Sequence, residues 1–442
     1  MRERGSILVG VLWCVALLSL IVVGTLHTAR RDVILAKHFG DDTQARYLAL
    51  AGVEKAKALI ALDARQSRTA ARAYSPALED APADFREVTL GRGQFSVLHR
   101  DPSRPDGPWL HGVGDESARL NLNVAGTNEL LRLPGLTLDI AAAILDWRDG
   151  DAAPGPGGAE VDYYASLTPP YLPRNGPFQT VRELLMVRGV TPELLTGRRP
   201  GGRRGGPPVP GWEESLTVHS SAPTTTVSGE ERINLQTADE KALANVRGFS
   251  PEIAKAIVAR RNGNKFENLL DLLDLTAAPA NGAVGPDGTP LNVNRGGRGN
   301  PGNAGNPNGG GPKLITETTL IEAADQLTVE ENDGPKGQVN VNTAPNSVLA
   351  CLPGVELPLA DAIVGYRRSA GPFTHPLGLL KVPGMNRELL KSLLPRLTAR
   401  SNTYRILAEG TVPGRGNRRR LEVVVSLDGS TFSTLSYRED DL

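Results

Sequence analysis

Ile7 to Leu26 is an unbroken, largely apolar run without a charge. As a helix it is about 30 Å long, enough to cross the apolar core of a bilayer. Removal as a secretory signal would need a shorter apolar stretch and a small-residue cleavage site, and His27-Thr28-Ala29 does not supply one. Two readings remain: a plain anchor, or a helix kept in the membrane after a cut ahead of it, at Gly5. Arg2 and Arg4 precede the run and Arg30 and Arg31 follow it, so charge alone sets no orientation. The helical pattern continues beyond the span. Ala45, Leu48, Ala49, Gly52, Val53, Ala56, Leu59 and Ile60 recur at 3/4 spacing, with Arg46, Lys55 and Lys57 off the stripe, as on one face of an amphipathic helix.

Strand signals lie at both ends of the remaining chain. Val88 and Leu90 face Phe95 and Val97 across Gly91-Arg92-Gly93, which predicts a hairpin over 86–98. Ile406, Ala408, Gly410 and Val412 alternate on one strand, and Leu421, Val423, Val425 and Leu427 on the next, across Pro413–Asn417. The fold class read from this is α+β: a long N-terminal helix on a small antiparallel sheet, with a large, mainly helical insertion between the two hairpins.

The insertion repeats. Asn121-Leu-Asn, Asn234-Leu-Gln and Asn340-Val-Asn start the three copies. Gly135, Gly248 and Gly354 follow them at one constant offset, and Arg148, Arg261 and Arg367 at another. Two spacings held in three copies are not chance, and starts at Asn121, Asn234 and Asn340 lie too far apart for a tight solenoid. Asn121, Thr237 and Thr343 sit where helix N-caps are expected. Second hairpins follow Phe178 and Phe373, at Gly189 and Gly384. Copy two has Phe266 but is read as losing its second hairpin and running into a linker. Leu-Thr-Val precedes copies two and three (216–218, 327–329) and is read as extending the unit forward. Gly and Pro number 49 and 34, about one residue in five against a usual one in eight. The excess concentrates in 197–211 and 277–313, read as linkers that tether the middle repeat.

These copies resemble the helix-hairpin-helix module. DNA-binding members use a Gly-x-Gly hairpin whose backbone N–H groups hold a phosphate. Here the second glycine is replaced by Thr137, Thr191, Ser250, Glu356 and Asn386. Thr, Ser and Asn cap their own helices, Pro192 and Pro251 fit the first helical position, and Glu356 repels phosphate. Gly135, Gly189, Gly248, Gly354 and Gly384 are therefore read as structural glycines. With 49 basic and 49 acidic residues the chain as a whole is not a counterion-driven nucleic-acid binder.

Between Arg148 and Asn175 stands an acidic, aromatic stretch: Asp149, Asp151, Glu160 and Asp162 around a Pro/Gly turn, with Tyr163, Tyr164 and Tyr171. Four carboxylates so closely spaced could give a calcium ion its hard oxygen ligands; a solvated acidic loop is the competing reading, since the spacing is not that of an EF-hand. The tyrosines and Trp147 either cover the insertion's own small core, the favoured reading, or form a partner surface. With the N-terminal run, this stretch closely resembles the general secretion pathway protein K family, the large minor pseudopilins of the type II secretion system. The likeness extends over Gly5–Ile60, Asn121–Leu195, Gln338–Leu397 and the terminal strands.

The resemblance implies a prepilin-type leader cut after Gly5 by the prepilin peptidase, with methylation on Ser6. It implies a single span in the inner membrane with the bulk in the periplasm. It also implies a place at the pseudopilus tip beside I- and J-type minor pseudopilins, above the major pseudopilin, and bound calcium. Pilins carry a Glu at the fifth mature position; here it is Gly10, and K-type proteins typically lack that Glu. On this reading the segments are leader 1–5, span 6–29, pilin-like helix and strands 30–117, repeat one 118–196, linker 197–232, extra repeat 233–276, linker 277–313, repeat three 314–397 and terminal strands 398–442. The alternative is a membrane-anchored helix-hairpin-helix DNA-binding protein of competence type.

No catalytic pattern stands against this. The six histidines form no metal-binding spacing, and neither a nucleophile elbow nor a phosphate-binding loop occurs. No enzyme activity, organic cofactor or small-molecule substrate is expected. Two cysteines cannot make a disulfide scaffold; Cys14 and Cys351 are read as small apolar residues. The four arginines of 198–204 are read as part of a solvated linker.

Overall fold

The computed structural model describes residues 4–100, 107–197, 210–277, 312–329, 337–413 and 418–439. The arginines of 198–204, residues 278–311 and the turn at 414–417 lie outside them. The N-terminal signal becomes one continuous helix, α1 (Arg4–Thr69), of 66 residues, about 100 Å long at 1.5 Å per residue. It is the one helix among the described residues long and apolar enough to cross a membrane. Its first half is exposed. From Ala45 the stripe read from the sequence is covered: Ala45, Leu48, Ala49, Val53, Ala56 and Ile60 are all buried.

What covers it is the sheet. A short helix, α2 (Pro82–Phe85), leads into β1 (Val88–Leu90) and β2 (Gly93–Arg100), the expected hairpin, with Leu90 paired to Gly93. β3 (Trp109–Leu110) pairs with β2, and β4 (Gly114–Asp115) with a strand from the far end of the chain. That strand is β11 (Thr403–Thr411), followed by β12 (Arg418–Asp428) and β13 (Thr431–Arg438), in the order β1-β2-β11-β12-β13. Ile406, Ala408 and Val412, and Leu421, Val423, Val425 and Leu427, are buried as their alternation predicts. β2 and β11 are antiparallel neighbours, Leu98 opposite Leu407, so everything between them leaves one strand and returns on the next. β3, β4 and β13 are additions to the expected sheet. Helix and sheet approach at glycines: a Cβ on Gly52 would stand 3.1 Å from the Phe95 ring, and one on Gly410 would enter the backbone of Ala45 and Ala49. Arg419 and Arg46 clamp the margin, pairing with Asp42 (2.5 and 2.7 Å) and with Glu439.

The repeats are closed by parallel ladders that correct their boundaries. β5 (Leu120–Asn121) pairs with β6 (Leu216–Thr217), β7 (Ile233–Asn234) with β8 (Leu327–Thr328), and β9 (Val339–Asn340) with β10 (Leu397–Thr398). Leu-Thr therefore ends the repeat before it and does not open the one after. Each repeat carries a first helix pair: α3 (Thr127–Leu130) with α4 (Leu138–Arg148), α7 (Glu240–Ala244) with α8 (Pro251–Gly263), and α10 (Asn346–Leu349) with α11 (Leu357–Ala370). Repeat one adds α5 (Val161–Ala165) and α6 (Pro192–Thr196), repeat two α9 (Glu317–Ala323), and repeat three α12 (Arg387–Leu393).

The expected N-caps at Asn121, Thr237 and Thr343 are also corrected. The capping positions of α3, α7 and α10 are Gly126, Asp239 and Pro345. The repeated Asn instead bends the chain out of its strand. Its side-chain oxygen accepts the N–H two positions on, at 2.9, 2.8 and 3.0 Å in the three copies. That second residue, Asn123, Gln236 or Asn342, donates to the carbonyl of Phe178, Phe266 or Phe373. The Arg at the second shared offset reaches back to the turn. Arg148 donates to the carbonyls of Leu122 and Ala125, Arg261 to Leu235 and Ala238, and Arg367 to Val341 (2.6 Å). The shared spacings are thus one clamp used three times; each buried carbonyl it satisfies would otherwise cost about 1–3 kcal/mol.

Repeat two keeps its second half, contrary to the sequence reading. Leu275 accepts from Leu314 N (3.0 Å), Ala277 donates to Pro312 (3.0 Å), and α9 follows, capped by Thr316. Repeat two therefore resumes at Pro312, and 278–311, read as part of a linker, lie outside the described residues. The middle repeat is not merely tethered. Repeat three lies between the other two. Arg396 bonds the buried Glu129 of repeat one (2.7 and 2.6 Å), and Arg387 bonds Asp274 of repeat two (2.9 Å). One apolar core runs through all three. The repeats meet the sheet at two acids, half-buried Asp115 and buried Glu116. Asp115 on β4 accepts from Asn340 (2.8 Å) and Thr343 (2.6 Å) of repeat three. Glu116 holds Arg405 of β11 in two bonds (2.8 and 2.7 Å). Burial opposes the charge of Glu116, but Arg405 and Arg119 outweigh it and bring its pKa down to about 2.

Gly410→Ala is expected to lower stability by roughly 2–3 kcal/mol, since its methyl group can be placed only by lifting α1 off the sheet. Thermal unfolding of the detergent-solubilised chain measures this, and Leu435→Ala on exposed β13 should leave the midpoint unchanged.

Candidate functional site

The acidic insertion grows from the C-terminus of α4. Asp146 and Trp147 on its last turn are buried, and Asp149 is its C-cap residue. Trp147 is the centre of the aromatic cluster. Tyr164 meets it edge-on at 5.2 Å and Phe178 stacks at 6.4 Å. Its indole N–H donates to Glu183 (3.0 Å), which Gln179 N–H also bonds (3.0 Å). Trp147 and Tyr164 are buried and so line the insertion's own core, as the favoured reading has it; Tyr163 stays partly exposed beneath Arg188. From this core the loop 150–159 turns over Asp146, whose carboxylate accepts Gly155 N–H at 3.1 Å. Arg188 fastens the far side through the Gly158 carbonyl (2.8 Å).

The turn brings Asp149, Asp151 and Glu160 together, each offering an oxygen within 4.8 Å of the others. Asp162, expected to be the fourth, lies exposed in α5 and outside the group. Because α5 begins directly after Glu160, its first turn carries Asp162 elsewhere. Glu160 is 3% exposed, and neither carboxylate oxygen has a hydrogen-bond partner. The side-chain oxygen of Asn175 is buried and unpartnered as well, while its amide N–H donates to the Asp151 carbonyl (2.5 Å). Burial first, then the charges of Asp146 and Asp149, raise the pKa of Glu160, with Asn175 a partial offset. Burial and Asp151 raise that of Asp149. Orphaned acceptor oxygens with crowded negative charge suit a hard divalent cation, which takes oxygen ligands and removes the repulsion. Asp146 and Asn175 were not among the sequence candidates. Asp146 stands one helical turn before Asp149, a signal that was legible. The approach of Asn175 to Asp151, far along the chain from it, was not.

The hairpins offer no comparable opening. Gly135, Gly189, Gly248, Gly354 and Gly384 all have positive φ, from +73° to +90°, the left-handed conformation that favours glycine. They also face one another's helices. A Cβ on Gly135 would stand 3.1 Å from Leu194, on Gly189 2.9 Å from Ile140, on Gly354 2.6 Å from Leu389 and on Gly248 3.1 Å from Thr319. The helix N–H groups that would hold a phosphate are occupied by the caps Thr137, Thr191, Ser250 and Asn386. Glu356 makes no cap and pairs with Arg132 (2.8 Å). At the N-terminus, Gly5 and Ser6 lie in the first turns of α1, and a Cβ on Gly10 would meet nothing within 4 Å. Cys14 is exposed on α1. Cys351 is buried in the turn after α10, where burial pushes its thiol up to about 12, so both are unpaired.

Residues 113–200, which hold the acidic insertion, match the family described as type II secretion system (T2SS), protein K. Over that stretch the chain is similar to the K-type proteins of the type II secretion system. Residues 228–277 and 334–398 match the helix-hairpin-helix motif, so repeats two and three are recognised separately from repeat one. The chain is similar to the type II secretion system protein K of Klebsiella pneumoniae, 27% identical over 201 residues, which is 44% of this chain and 60% of that protein. It is also similar to the protein of the same description from Pectobacterium carotovorum subsp. carotovorum, 30% identical over 203 residues, again 44% and 60%. The aligned part thus spans about 60% of the length of these K-type relatives. A solved GspK-GspI-GspJ complex from enterotoxigenic Escherichia coli aligns over 94% of this chain and 99% of that one, at 14% identity and a TM-score of 0.39.

Without added cation, the raised pKa values of Glu160 and Asp149 mean that the folded state binds more protons than the unfolded one. Stability then falls as pH rises from the ordinary carboxylate range, about 4, towards 7. Chemical unfolding at a series of pH values in chelator should show this slope, and Glu160→Gln should flatten it.

Proposed function

We propose that the protein is a K-type minor pseudopilin that sits at the tip of the pseudopilus and helps to start its assembly. The observation that carries this is topological. The K-type domain is inserted between β2 and β11, neighbouring strands of the sheet on which the long N-terminal helix lies. A subunit built this way can pack its exposed apolar half-helix among others in the inner membrane. Its insertion remains on the periplasmic side, above the filament. Gly10 supports the tip position. A carboxylate buried among packed helices is costly without a partner, and a subunit with none above it has no N-terminal amine to pair with. I- and J-type minor pseudopilins are its partners, and the major pseudopilin continues the filament below. Its action is assembly, without catalysis.

The prepilin peptidase cuts after Gly5 and Ser6 becomes the methylated N-terminus. Gly5→Leu should therefore leave the leader in place, read as an unchanged N-terminal mass, and should fail to restore secretion in cells lacking the chain. A cleaved Gly5→Leu product would remove the leader reading. Salt-sensitive DNA binding by the purified chain, together with normal secretion in cells without it, would favour the competence-type alternative instead.

Calcium belongs at Asp149, Asp151 and Glu160, with Asn175 beside them. It supplies positive charge that lets the three carboxylates share one site; the residues of this chain bring them together and keep Glu160 dry. Adding calcium should raise the unfolding temperature by several degrees, as expected for a ligand well above its dissociation constant. The rise should grow with pH, because the carboxyl groups of Glu160 and Asp149 are held above their ordinary range and must give up their protons to take the cation. Glu160→Gln should abolish most of it and Asp162→Asn little.

A further inference from the structure

Each repeat carries a 3-10 turn just beyond its shared Phe: Val181–Met186 after Phe178, Leu269–Asp274 after Phe266 and Pro376–Lys381 after Phe373. The residue before the turn stands at one register position in all three. In repeat two it is Asn268, whose side chain accepts the Leu270 N–H at 2.9 Å. In repeat one it is Thr180, which makes no side-chain cap bond. In repeat three it is His375, whose Nδ1 accepts the Leu377 N–H at 3.2 Å. Repeat three alone therefore caps its turn with a base. The bond places the proton of the neutral ring on Nε2. A second proton on Nδ1 would set a donor against a donor, and the cap would be lost.

The turn capped by His375 is where repeat two docks. α9 packs on it, and Leu377 and Leu379 are fully buried. The ring is half-buried on the wall of a cavity of about 760 Å³ between the two repeats. The other charged residues of that wall are Glu231, Arg232, Glu267 and Arg400. Glu267 pairs with Lys391 (3.1 Å), and Arg400 donates to the Thr225 carbonyl (2.6 Å). Beyond the wall, α9 carries Glu317 and Glu322, and Asp325 after it pairs with Arg232 (3.7 Å); the turn itself carries Lys381. Burial, and then the charge of Arg232, push the pKa of His375 down to about 3.

We propose that His375 is an acid-sensitive latch between repeats two and three: taking up a proton breaks the cap at Leu377, loosens the turn Pro376–Lys381 and frees α9 of repeat two from it. The latch belongs to the middle repeat and does not depend on a place in a pseudopilus.

Its sign follows from linkage. In the unfolded chain the ring titrates near its ordinary value, about 6.5, whereas the fold keeps it neutral. The stability that the latch contributes is complete above that value and is lost as pH falls below it. The acids of the same contact act lower. Asp274 is held below the usual carboxylate range by Arg387, and Asp271, against the effect of burial, by the Glu267 N–H and Lys391. Elsewhere, burial lowers the pKa of His219 between repeat one and the sheet, and Glu160 and Asp149 act in the opposite sense, so the readout must be local.

Hydrogen exchange of the full chain in detergent, corrected for the pH dependence of the exchange chemistry, supplies it. Between about pH 7.5 and about pH 5, protection of the Leu377 amide and of the Leu320 amide in α9 should fall about thirtyfold, the ratio set by an opened histidine of ordinary pKa. His375→Asn copies the cap of repeat two without a titrating group, so it should keep the protection at both pH values. His375→Ala should lack it at both. Equal protection of the two amides at both pH values in the unsubstituted chain would overturn the inference, with no variant needed. A loss in His375→Asn as large as in the unsubstituted chain would overturn it too, by placing the titrating group elsewhere.

Discussion

The pairing of β2 with β11 is the contact on which the rest of the molecule depends. It requires the chain between β4 and β11 to leave the sheet and come back within one strand spacing. The insertion must therefore close on itself and be fastened at its two ends. Asp115 and Glu116 do the fastening, just where β4 leaves the sheet. Half-buried Asp115 and buried Glu116 are each given several donors, which keeps the cost of dehydrating them tolerable. The same pairing carries Gly410 beneath Ala45 and Ala49, so the seat of the long helix and the exit of the insertion are parts of one arrangement.

Within the insertion a single clamp is used three times. An Asn turns the chain, the residue two further on ties it to a distant Phe, and an Arg from the following helix satisfies the carbonyls of the turn. Polar groups used in this way allow a small helical unit to stack on others without leaving backbone groups unpaired in a dry interior. They also explain why the hairpins face one another. With the turns held, each positive-φ glycine is pressed against a helix of its own repeat. The N–H groups that could hold phosphate elsewhere are used by Thr137, Thr191, Ser250 and Asn386.

Much of this was legible in one dimension. The buried stripe of α1, the alternation on β11 and β12, the hairpin caps and the five structural glycines follow from local spacing and from residue types that have few other uses. The failures share a cause. Leu-Thr was assigned to the wrong repeat because a parallel ladder joins segments far apart in the chain, and nothing in a local window says which neighbour a strand takes. Asn121 was read as a cap because Asn serves both uses, and only the positions of Phe178 and Arg148 separate them. Residues 278–311 looked like a linker because their composition is that of one. The bonds of Leu275 and Ala277 to Leu314 and Pro312 show that repeat two resumes beyond them.

For the acidic site, spacing alone pointed to Asp149, Asp151 and Glu160, and wrongly added Asp162 to them. Composition and spacing determined that this chain has a long apolar helix, three copies of one helical unit, and an acidic turn in the first copy alone. Whether a carboxylate is solvated or stripped of partners is decided by what folds over it. Only the tertiary structure seats Glu160 in a dry place beside Asp149 and Asp151, leaves Asp162 in water, and sets repeat three between the other two. Local periodicity is written in neighbouring residues, whereas burial and charge coupling are sums over parts of the chain that meet only on folding.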